Sequence, residues 1–314
     1  MITQFYEAEY KNFGKCVCLE NGVIKLMATV DFGPRIIYFA ANGMPNIMFE
    51  DINRDYYEMN KGYGTWYNYG GHRLWSSPES LPETYYPDNS RVSYSFENNI
   101  LTLEPRPTAS EKQFGISIEM GEENRVNIKN TITNISKSPK RYAPWSVTSL
   151  TGGGIEFVPL NRKHTGLLPN RTVSLWSYSE LKDERFTMTD SYAVIRQDPN
   201  AANSFKIGFN ITDGYVVYAV ENQKFKKMFP GYENIIYPDF MCNFETYTND
   251  TFLGCELLGE QRVYQPGEAA ELCETWEITE TDSSPEDTVE ECISELGSDT
   301  DKDPSKYSAL KRST

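Results

Sequence analysis

Residues 70–79 bring together four side-chain types that can carry chemistry. They read Gly-Gly-His-Arg-Leu-Trp-Ser-Ser-Pro-Glu, so His72, Arg73, Trp75 and Glu79 follow a glycine pair. Glycines permit a tight turn or the close approach of a ligand. Histidine and glutamate exchange protons near neutral pH, arginine donates from a planar group, and tryptophan offers a flat apolar face. The set suits a polar, ring-shaped ligand such as a sugar, and it equally fits a loop whose tryptophan fills a core.

Strand periodicity places two carboxylates on apolar faces. Along residues 272–278, Glu274 shares a face with Trp276, and one strand earlier Glu256 shares a face with Leu258. A buried carboxylate needs a cation, several donors or a proton. Each is therefore part of an ion pair, at the end of a strand, or in a cleft as a functional group. We favour the structural interpretation for Glu274 and the functional one for Glu256.

Several other polar and aromatic residues are candidates, although each also has an ordinary explanation. Glu245 lies in a strand pattern typical of a half-exposed surface, lysines are usually solvated, and His164 fits an exposed loop. The dense aromatic run over residues 56–75 is either a stacking platform for sugars or a lid over a core. The candidate substrate-binding set comprises Arg35, Arg73, Trp75, Glu79, Trp145, Lys206, Lys227, Glu245 and Glu274.

Charge and composition exclude several classes of function. The chain has 314 residues and a net charge of -15, which argues against nucleic acid and anionic membranes as partners. No apolar run is long enough to span a membrane, and the first residues lack a signal-peptide pattern, so we expect a cytoplasmic protein. The six cysteines are scattered without metal-ligand spacing. We therefore expect no metal and no cofactor.

Short strand patterns separated by turn residues dominate residues 1–280. One example is the predicted hairpin in which residues 92–96 and 100–103 flank Glu97-Asn98-Asn99. Because the strands are frequent and evenly spaced while helical periodicity is scarce, a βαβ fold is disfavoured. The sequence predicts an all-β fold, specifically a large antiparallel β-sandwich.

Residues 281–314 differ in composition from the rest of the chain. This segment is rich in aspartate and glutamate, and Ser284-Pro285 resembles the start of a helix. Val289, Ile293 and Leu296 form a thin apolar stripe along that helix. We expect a short docked helix followed by a disordered acidic tail, separate from the domain formed by residues 1–280.

Five segments, taken in order, resemble the galactose-mutarotase-like superfamily, and more closely an uncharacterised bacterial branch of it. The resemblance covers roughly residues 10–280. The segments are Phe32-Gly33-Pro34-Arg35-Ile36, Tyr69-Gly70-Gly71-His72-Arg73-Leu74-Trp75, Ala143-Pro144-Trp145-Ser146-Val147-Thr148, Tyr237-Pro238-Asp239, and an ending that runs from Glu256 through Pro266-Gly267 to Trp276.

The resemblance implies a β-supersandwich with a sugar cleft on the concave face of its larger sheet. In aldose 1-epimerases of this fold, a glutamate takes the proton of the anomeric hydroxyl and a histidine protonates the ring oxygen. Glu256 matches the position of that glutamate and Arg35 that of an early arginine. The central histidine position falls near Trp145, where no histidine occurs, which leaves His72 as the acid. We therefore expect His72 and Glu256 to face one cavity.

Three hypotheses follow from this resemblance. The first is an isomerase with 1-epimerase-like chemistry on an aldose or sugar derivative. The second is a non-catalytic sugar-binding or sensing protein that has lost the acid–base pair. A third, weaker hypothesis is an accessory domain of a polysaccharide-degrading system. We expect a small-molecule carbohydrate as partner, and the sequence leaves open which sugar is bound and the oligomeric state.

Overall fold

The structure is a computed structural model that describes residues 3–298 of the chain. Within that range the strands are β1 (Gln4–Glu9), β2 (Lys15–Glu20), β3 (Ile24–Thr29), β4 (Ile36–Ala41), β5 (Tyr57–Asn60), β6 (Gly64–Tyr67), β7 (Gly71–Ser77), β8 (Ser93–Glu97), β9 (Ile100–Glu104), β10 (Lys112–Met120), β11 (Arg125–Asn134), β12 (Lys140–Thr151), β13 (Ile155–Pro159), β14 (Val173–Leu175), β15 (Phe186–Met188), β16 (Tyr192–Arg196), β17 (Phe205–Phe209), β18 (Tyr215–Val220), β19 (Gln223–Met228), β20 (Phe244–Thr248), β21 (Phe252–Leu258), β22 (Arg262–Tyr264) and β23 (Ala269–Glu280). The α-helical segments are α1 (Pro238–Met241), a single turn in which Asp239 and Phe240 have positive φ, and α2 (Pro285–Ser298).

Two large antiparallel sheets face each other across the core. In the described residues, sheet I has 11 strands in the order β1-β2-β3-β4-β7-β12-β21-β20-β17-β14, with β22 paired to β12. Sheet II has 10 strands in the order β15-β16-β13-β18-β19-β23-β11-β10-β9-β8. Apolar side chains from both sheets, such as Phe39, Ile118 and Trp276, form the core between them. The predicted all-β sandwich is confirmed.

Local predictions at a turn and at the C-terminal helix are also confirmed. β8 and β9 form the expected hairpin, with Asn98 and Asn99 at positive φ in its turn. Helix α2 begins where Ser284 Oγ accepts a hydrogen bond from the Asp287 N–H at 3.1 Å. Its apolar stripe packs on the outer face of sheet II, against Phe157 among others. The predicted disordered tail lies outside the described residues from 299 onward.

The glycine pair before β7 permits a close backbone approach. Gly70 has φ +93°, and a Cβ there would lie 2.0 Å from the carbonyl oxygen of Phe49. The Gly71 N–H donates to that same carbonyl at 2.9 Å. Glycine is therefore required at position 70 both for its backbone conformation and for space, and this contact sets where β7 enters sheet I.

Substitution of Gly70 tests this packing. Gly43 has a similar φ of +83°, but a Cβ there meets nothing within 4 Å, so it provides a matched control. We expect Gly43→Ala to lower the free energy of unfolding by about 1 kcal/mol and Gly70→Ala by at least about 3 kcal/mol. Urea denaturation of both variants measures the difference. Equal losses would contradict the packing described here.

Candidate active site on the outer face of sheet I

The register of four central strands determines which polar side chains share a face. Across β7, β12, β21 and β20, Arg73 pairs with Val147, Val147 with Glu256, and Glu256 with Glu245. Paired residues project to the same side of a sheet, and the next residue on each strand projects to the other side. Arg73, Glu256 and Glu245 therefore lie on the outer face of sheet I, which points away from sheet II.

Lys206 on β17 joins the two glutamates of this face. Its Nζ lies 2.8 Å from Glu245 Oε2 and 3.0 Å from Glu256 Oε2. Lys206 is only 5% exposed and Glu245 is fully buried. The ammonium thus bridges two neighbouring strands in a low-dielectric setting, where such a charge interaction is strong.

Tryptophan side chains enclose this bridge. The Lys206 ammonium lies over the rings of Trp145 and Trp176, at 4.8 and 4.5 Å from their centroids. Trp145 also donates from Nε1 to Glu256 Oε2 at 3.0 Å. Trp75 stacks at a tilt beside Trp145, with centroids 5.1 Å apart. We call the set Arg73, Trp75, Trp145, Trp176, Lys206, Glu245 and Glu256 the outer-face cluster.

Arg73 extends the outer-face cluster toward β6. Its guanidinium lies over the rings of Trp75 and Trp66, at 4.2 and 5.4 Å. Nη1 donates to Asn68 Oδ1 at 2.9 Å, whereas Nε is buried without a hydrogen-bond partner. Burial, together with the nearby Arg35 charge, lowers the pKa of Arg73 to about 9. The cluster therefore has an arginine N–H without a partner beside a row of indoles.

Glu245 and Glu256 share a single ammonium group, that of Lys206. Because one positive charge does not compensate two carboxylates, one of the two carboxyl groups is favoured to keep its proton. Burial raises the pKa of Glu245 to about 8, and the neighbouring Glu256 carboxylate adds to this, while Lys206 opposes it. Although burial opposes the charged form of Lys206, Glu256 and Glu245 raise its pKa. Burial thus favours the protonated form of Glu245, and the two carboxyl groups favour the charged form of Lys206. Such separation of protonation states is typical of acid–base sites.

A second polar cluster lies on the inner face of sheet I, between the two sheets. His72 Nδ1 is 2.9 Å from Thr148 Oγ1, and Lys227 of β19 donates to the same hydroxyl at 2.8 Å. Lys227 also pairs with Glu274 Oε2 at 3.0 Å, while Asn130 donates to Glu274 Oε1 at 2.7 Å. We call these five residues the inner cluster. It links both sheets through buried hydrogen bonds, so its geometry is that of a structural network.

Burial fixes the protonation of the inner cluster. Desolvation lowers the pKa of His72 to about 4, so its imidazole is neutral at physiological pH. Burial opposes ionisation of Glu274, but Lys227 and His72 outweigh it and lower the pKa of Glu274 to about 2. Nearby, burial raises the pKa of Glu156 to about 8. Lys227 and Glu274 therefore form one compensated ion pair in the core, as we expected for Glu274.

The expected cavity shared by His72 and Glu256 does not exist. His72 pairs with Thr148, which pairs with Cys255, so His72 lies one register position from Arg73 and Glu256 and faces the opposite side. It is fully buried against sheet II. The expectation failed because the strand register offsets His72 from Glu256 by one residue. Side chains of successive residues in a strand project from opposite faces of the sheet, so these two side chains point in opposite directions.

The remaining predicted site residues divide between the two faces and the rim. Arg73, Trp75, Trp145, Lys206 and Glu245 lie in the outer-face cluster with Glu256, whereas Lys227 and Glu274 lie in the inner cluster. Glu245 is buried, which contradicts its half-exposed strand pattern. Their roles in binding stay predictions.

Glu79 and Arg35 lie apart from both clusters. Glu79 is exposed and accepts a hydrogen bond from Tyr85, whose ring packs on Trp75, so Glu79 marks the rim of the outer-face cluster. Arg35 is buried and pairs with Asp88 at 2.5 Å, and it also donates to backbone carbonyls. Its guanidinium is therefore already occupied by the protein.

Sequence reasoning missed Trp176 at the site, whereas Trp66 belongs to the aromatic run that it had singled out. Trp176 follows β14 at the edge of sheet I and reaches Lys206, and Ser179 accepts a hydrogen bond from the Lys206 N–H. Trp66, within the aromatic run, packs on Trp75 with centroids 5.2 Å apart. Part of that run thus borders the site. The signal for Trp176 was weak, because its segment has no strand or helix periodicity.

The described residues contain no group of three or more His, Cys, Asp or Glu side chains positioned for a metal ion. All six cysteines are free thiols, and Cys273 is exposed while the others are buried. No helix within residues 3–298 combines the length and apolar character needed to cross a bilayer.

Comparison with solved structures establishes the class of fold. A TPR-domain containing protein from Parabacteroides distasonis superposes with a TM-score of 0.59 at 12% identity, over 84% of this chain. This chain spans only 47% of that protein's length. A Klebsiella pneumoniae protein, provisionally described as an aldose 1-epimerase, gives a TM-score of 0.55 at 10% identity, over 95% of this chain and 89% of its own.

A galactose mutarotase-like protein from Lactobacillus casei also matches. It gives a TM-score of 0.50 at 9% identity, over 84% of this chain and all of its own. No protein-family model and no curated protein matches the sequence. The chain therefore has the galactose-mutarotase-like fold, as the sequence motifs predicted, and its activity must be argued from its own residues.

The protonation of His72 predicts how stability depends on pH. The folded state holds His72 neutral down to about pH 4, whereas the unfolded chain protonates it near 6.5, so acid favours unfolding in that window. Between pH 7 and pH 4, we expect the wild type to lose about 3 kcal/mol more unfolding free energy than His72→Gln. Urea denaturation across this range measures the difference. Parallel pH profiles would show that His72 is not buried as a neutral base.

Proposed function

We propose that this protein binds a carbohydrate at the outer-face cluster and acts on it by acid–base chemistry. The observation that carries the proposal is the Lys206 ammonium held between Glu245 and Glu256 and flanked by indoles. Indole faces suit the apolar C–H surface of a pyranose ring, and charged groups beside them suit its hydroxyls. The galactose-mutarotase-like fold supports the same ligand class.

Glu256 is the proposed general base. Within the described residues its two hydrogen bonds, from Trp145 and Lys206, both go to Oε2. Oε1 is thus left to accept a proton from a ligand hydroxyl. An aldose presents such a proton at its anomeric hydroxyl, and proton transfer to a positioned carboxylate is ordinary general-base catalysis.

The acid in this proposal comes from the same cluster and not from His72. When Glu256 takes the anomeric proton, a carbonyl forms at C1 and the C1–O5 bond breaks. The ring oxygen then receives a proton from the Lys206 ammonium, and the resulting amine takes a proton from the Glu245 carboxyl, whose pKa is raised by burial. Rotation and re-closure reverse these steps, so protons and electrons balance. The net result is inversion at the anomeric carbon.

A non-catalytic sugar-binding protein is the second candidate. The observation that favours it is the position of His72, which lies on the inner face and leaves the outer-face cluster without an imidazole. In this case the indoles and Arg73 hold the sugar, and Glu256 accepts a hydrogen bond without transferring a proton. The two candidates share a binding site and differ only in turnover.

Replacement of Glu256 separates the two candidates. We expect a panel of free and phosphorylated sugars to include one that raises the melting temperature, because ligand binding stabilises the folded form. For that sugar, two-dimensional exchange NMR measures the rate between α and β anomers. Glu256→Gln should lower the enzymatic rate by about 10²- to 10⁴-fold.

Glu271→Gln is the matched control, since Glu271 is an exposed residue of sheet II that is paired with exposed Lys129. It should leave the rate unchanged. Equal rates for the wild type and Glu256→Gln would remove Glu256 as the base. Binding with no rate above buffer would establish the non-catalytic candidate, and no binding by any sugar would contradict the proposal as a whole.

A further inference from the structure

A groove lies beside the outer-face cluster. Its walls are the loop between β14 and β15 and the loop between β16 and β17, which contribute Tyr178 and Ser204 among others. Ser204 Oγ lies 2.7 Å from Tyr247 Oη, and Tyr247 pairs in register with Lys206. Because paired residues project to one side of a sheet, the groove adjoins the face that carries Lys206. We call it the side groove.

One short segment separates the side groove from the outer-face cluster. Trp176 lies over the Lys206 ammonium, and Ser179 is tied to the Lys206 main chain by two hydrogen bonds of 2.7 Å. Tyr178, between them, lines the side groove and is half-exposed. Burial raises the pKa of the Tyr178 phenol, the Lys206 ammonium lowers it and the Glu256 carboxylate adds to the rise, so the phenol lies near both charges. A ligand that extends from Glu256 past Tyr178 therefore enters the side groove.

The side groove has the size and the fixed walls of a ligand site. Its cavity volume is about 460 Å³, which is within the range of small-molecule sites. Arg185 joins the two walls, because its guanidinium donates to both carboxylate oxygens of Asp183, at 2.9 and 2.7 Å, and to the carbonyl oxygen of Asn203 at 2.7 Å. These bonds keep the two loops at a fixed spacing, so the groove is largely pre-formed.

The lining of the side groove combines an aromatic ring with hydrogen-bonding groups. Tyr178 supplies the ring, and Asn200 and Asn203 supply exposed amides. Asp198 is half-buried, and both hydrogen bonds that it accepts within the described residues come from Asn200 and go to Oδ1. Its Oδ2 is left to accept from a ligand, and a charged acceptor makes a strong hydrogen bond with a hydroxyl. An aromatic face beside such acceptors suits a pyranose ring.

The side groove carries an excess of negative charge. Its charged side chains are Glu180, Lys182, Asp183, Glu184, Arg185 and Asp198. Asp183 and Arg185 neutralise each other in an ion pair. The other four comprise three acids and one base, and none of them has a salt-bridge partner within residues 3–298. An anionic group is therefore disfavoured, whereas neutral hydroxyls donate to the acids. No group of three or more acids in the described chain is positioned for a metal ion.

We propose that the side groove binds a second, neutral sugar unit, so that the ligand of this protein is a disaccharide or a longer chain. This inference rests on the carbohydrate function proposed above. Only the reducing-end unit of such a chain has a free anomeric hydroxyl, so that unit occupies the outer-face cluster with this hydroxyl at Glu256. The next unit packs on Tyr178, and one of its hydroxyls donates to Asp198 Oδ2.

Reducing disaccharides and their reducing-end monosaccharides provide the test. The probes are maltose, cellobiose, lactose and melibiose against glucose, and 1,4-β-galactobiose against galactose. In isothermal titration calorimetry, we expect at least one disaccharide to bind about tenfold more tightly than its monosaccharide. In protein with labelled alanine methyl groups, nuclear Overhauser effects should connect the second unit of that disaccharide with Ala201 and Ala202, which line the side groove. The exposed Ala269 of β23 is the internal control and should show none.

Two pairs of variants examine the space and the aromatic ring separately. Ala202→Trp should fill the side groove and remove the preference for the disaccharide, whereas Ala202→Ser should preserve it. The monosaccharide should bind the wild type and Ala202→Trp equally, which also shows that the variant is folded. Tyr178→Ala should lower the affinity for the disaccharide about tenfold, whereas Tyr178→Phe, which keeps the ring, should change it twofold or less.

Three results would overturn the inference: monosaccharides that bind as tightly as every disaccharide ending in them, no effects at Ala201 and Ala202 with a saturating disaccharide, or an unchanged preference in Ala202→Trp. In each of these cases a sugar still binds, so the proposed carbohydrate function stands without the side groove. Binding of no sugar of either length would instead refute both proposals.

Discussion

The contact of Lys206 with two carboxyl groups is the interaction on which the proposed site depends. It links β17, β20 and β21 through side chains at 2.8 and 3.0 Å, and within residues 3–298 neither glutamate has a second salt-bridge partner. Removing a charge from water is costly, and a buried ion cluster persists only when its geometry compensates for that cost. Burial raises the pKa of Glu245 to about 8, and the contact with Lys206 opposes that rise. The proposed acid–base chemistry therefore depends on the balance between burial and this ion cluster.

Strand alternation gives sheet I two polar clusters with different roles. In the inner cluster, Lys227 and Glu274 pair with each other and also form hydrogen bonds to Thr148 and Asn130, respectively. These contacts connect the two sheets. The outer-face cluster retains incomplete hydrogen bonding at Arg73 Nε and Glu245. Buried polar atoms without partners are rare in folded proteins. The contrast is the physical reason for proposing the outer face as the binding site.

Sequence periodicity predicted the sandwich, the 92–103 hairpin and the C-terminal helix, because alternation and turn chemistry are local signals. It also placed Glu274 correctly, since one face of β23 is apolar. Glu256 was harder to place, because Leu258, Val147 and Trp145 form an apolar patch on the outer face, so both faces of β21 are apolar. His72 was misassigned for a related reason: it adjoins Arg73 in sequence, but neighbours in a strand face opposite ways. Trp176 could not be predicted, because only the tertiary fold brings its loop over Lys206.

The central claim is that a sugar binds on the outer face of sheet I, beside the indoles and the Lys206 bridge. A crystal structure of the protein with a bound sugar tests this most directly. The account predicts a pyranose ring against Trp75 or Trp145, with a hydroxyl within hydrogen-bond distance of Glu256 Oε1. A sugar bound at any other surface, with the contacts of Lys206 and the indoles unchanged, would contradict it.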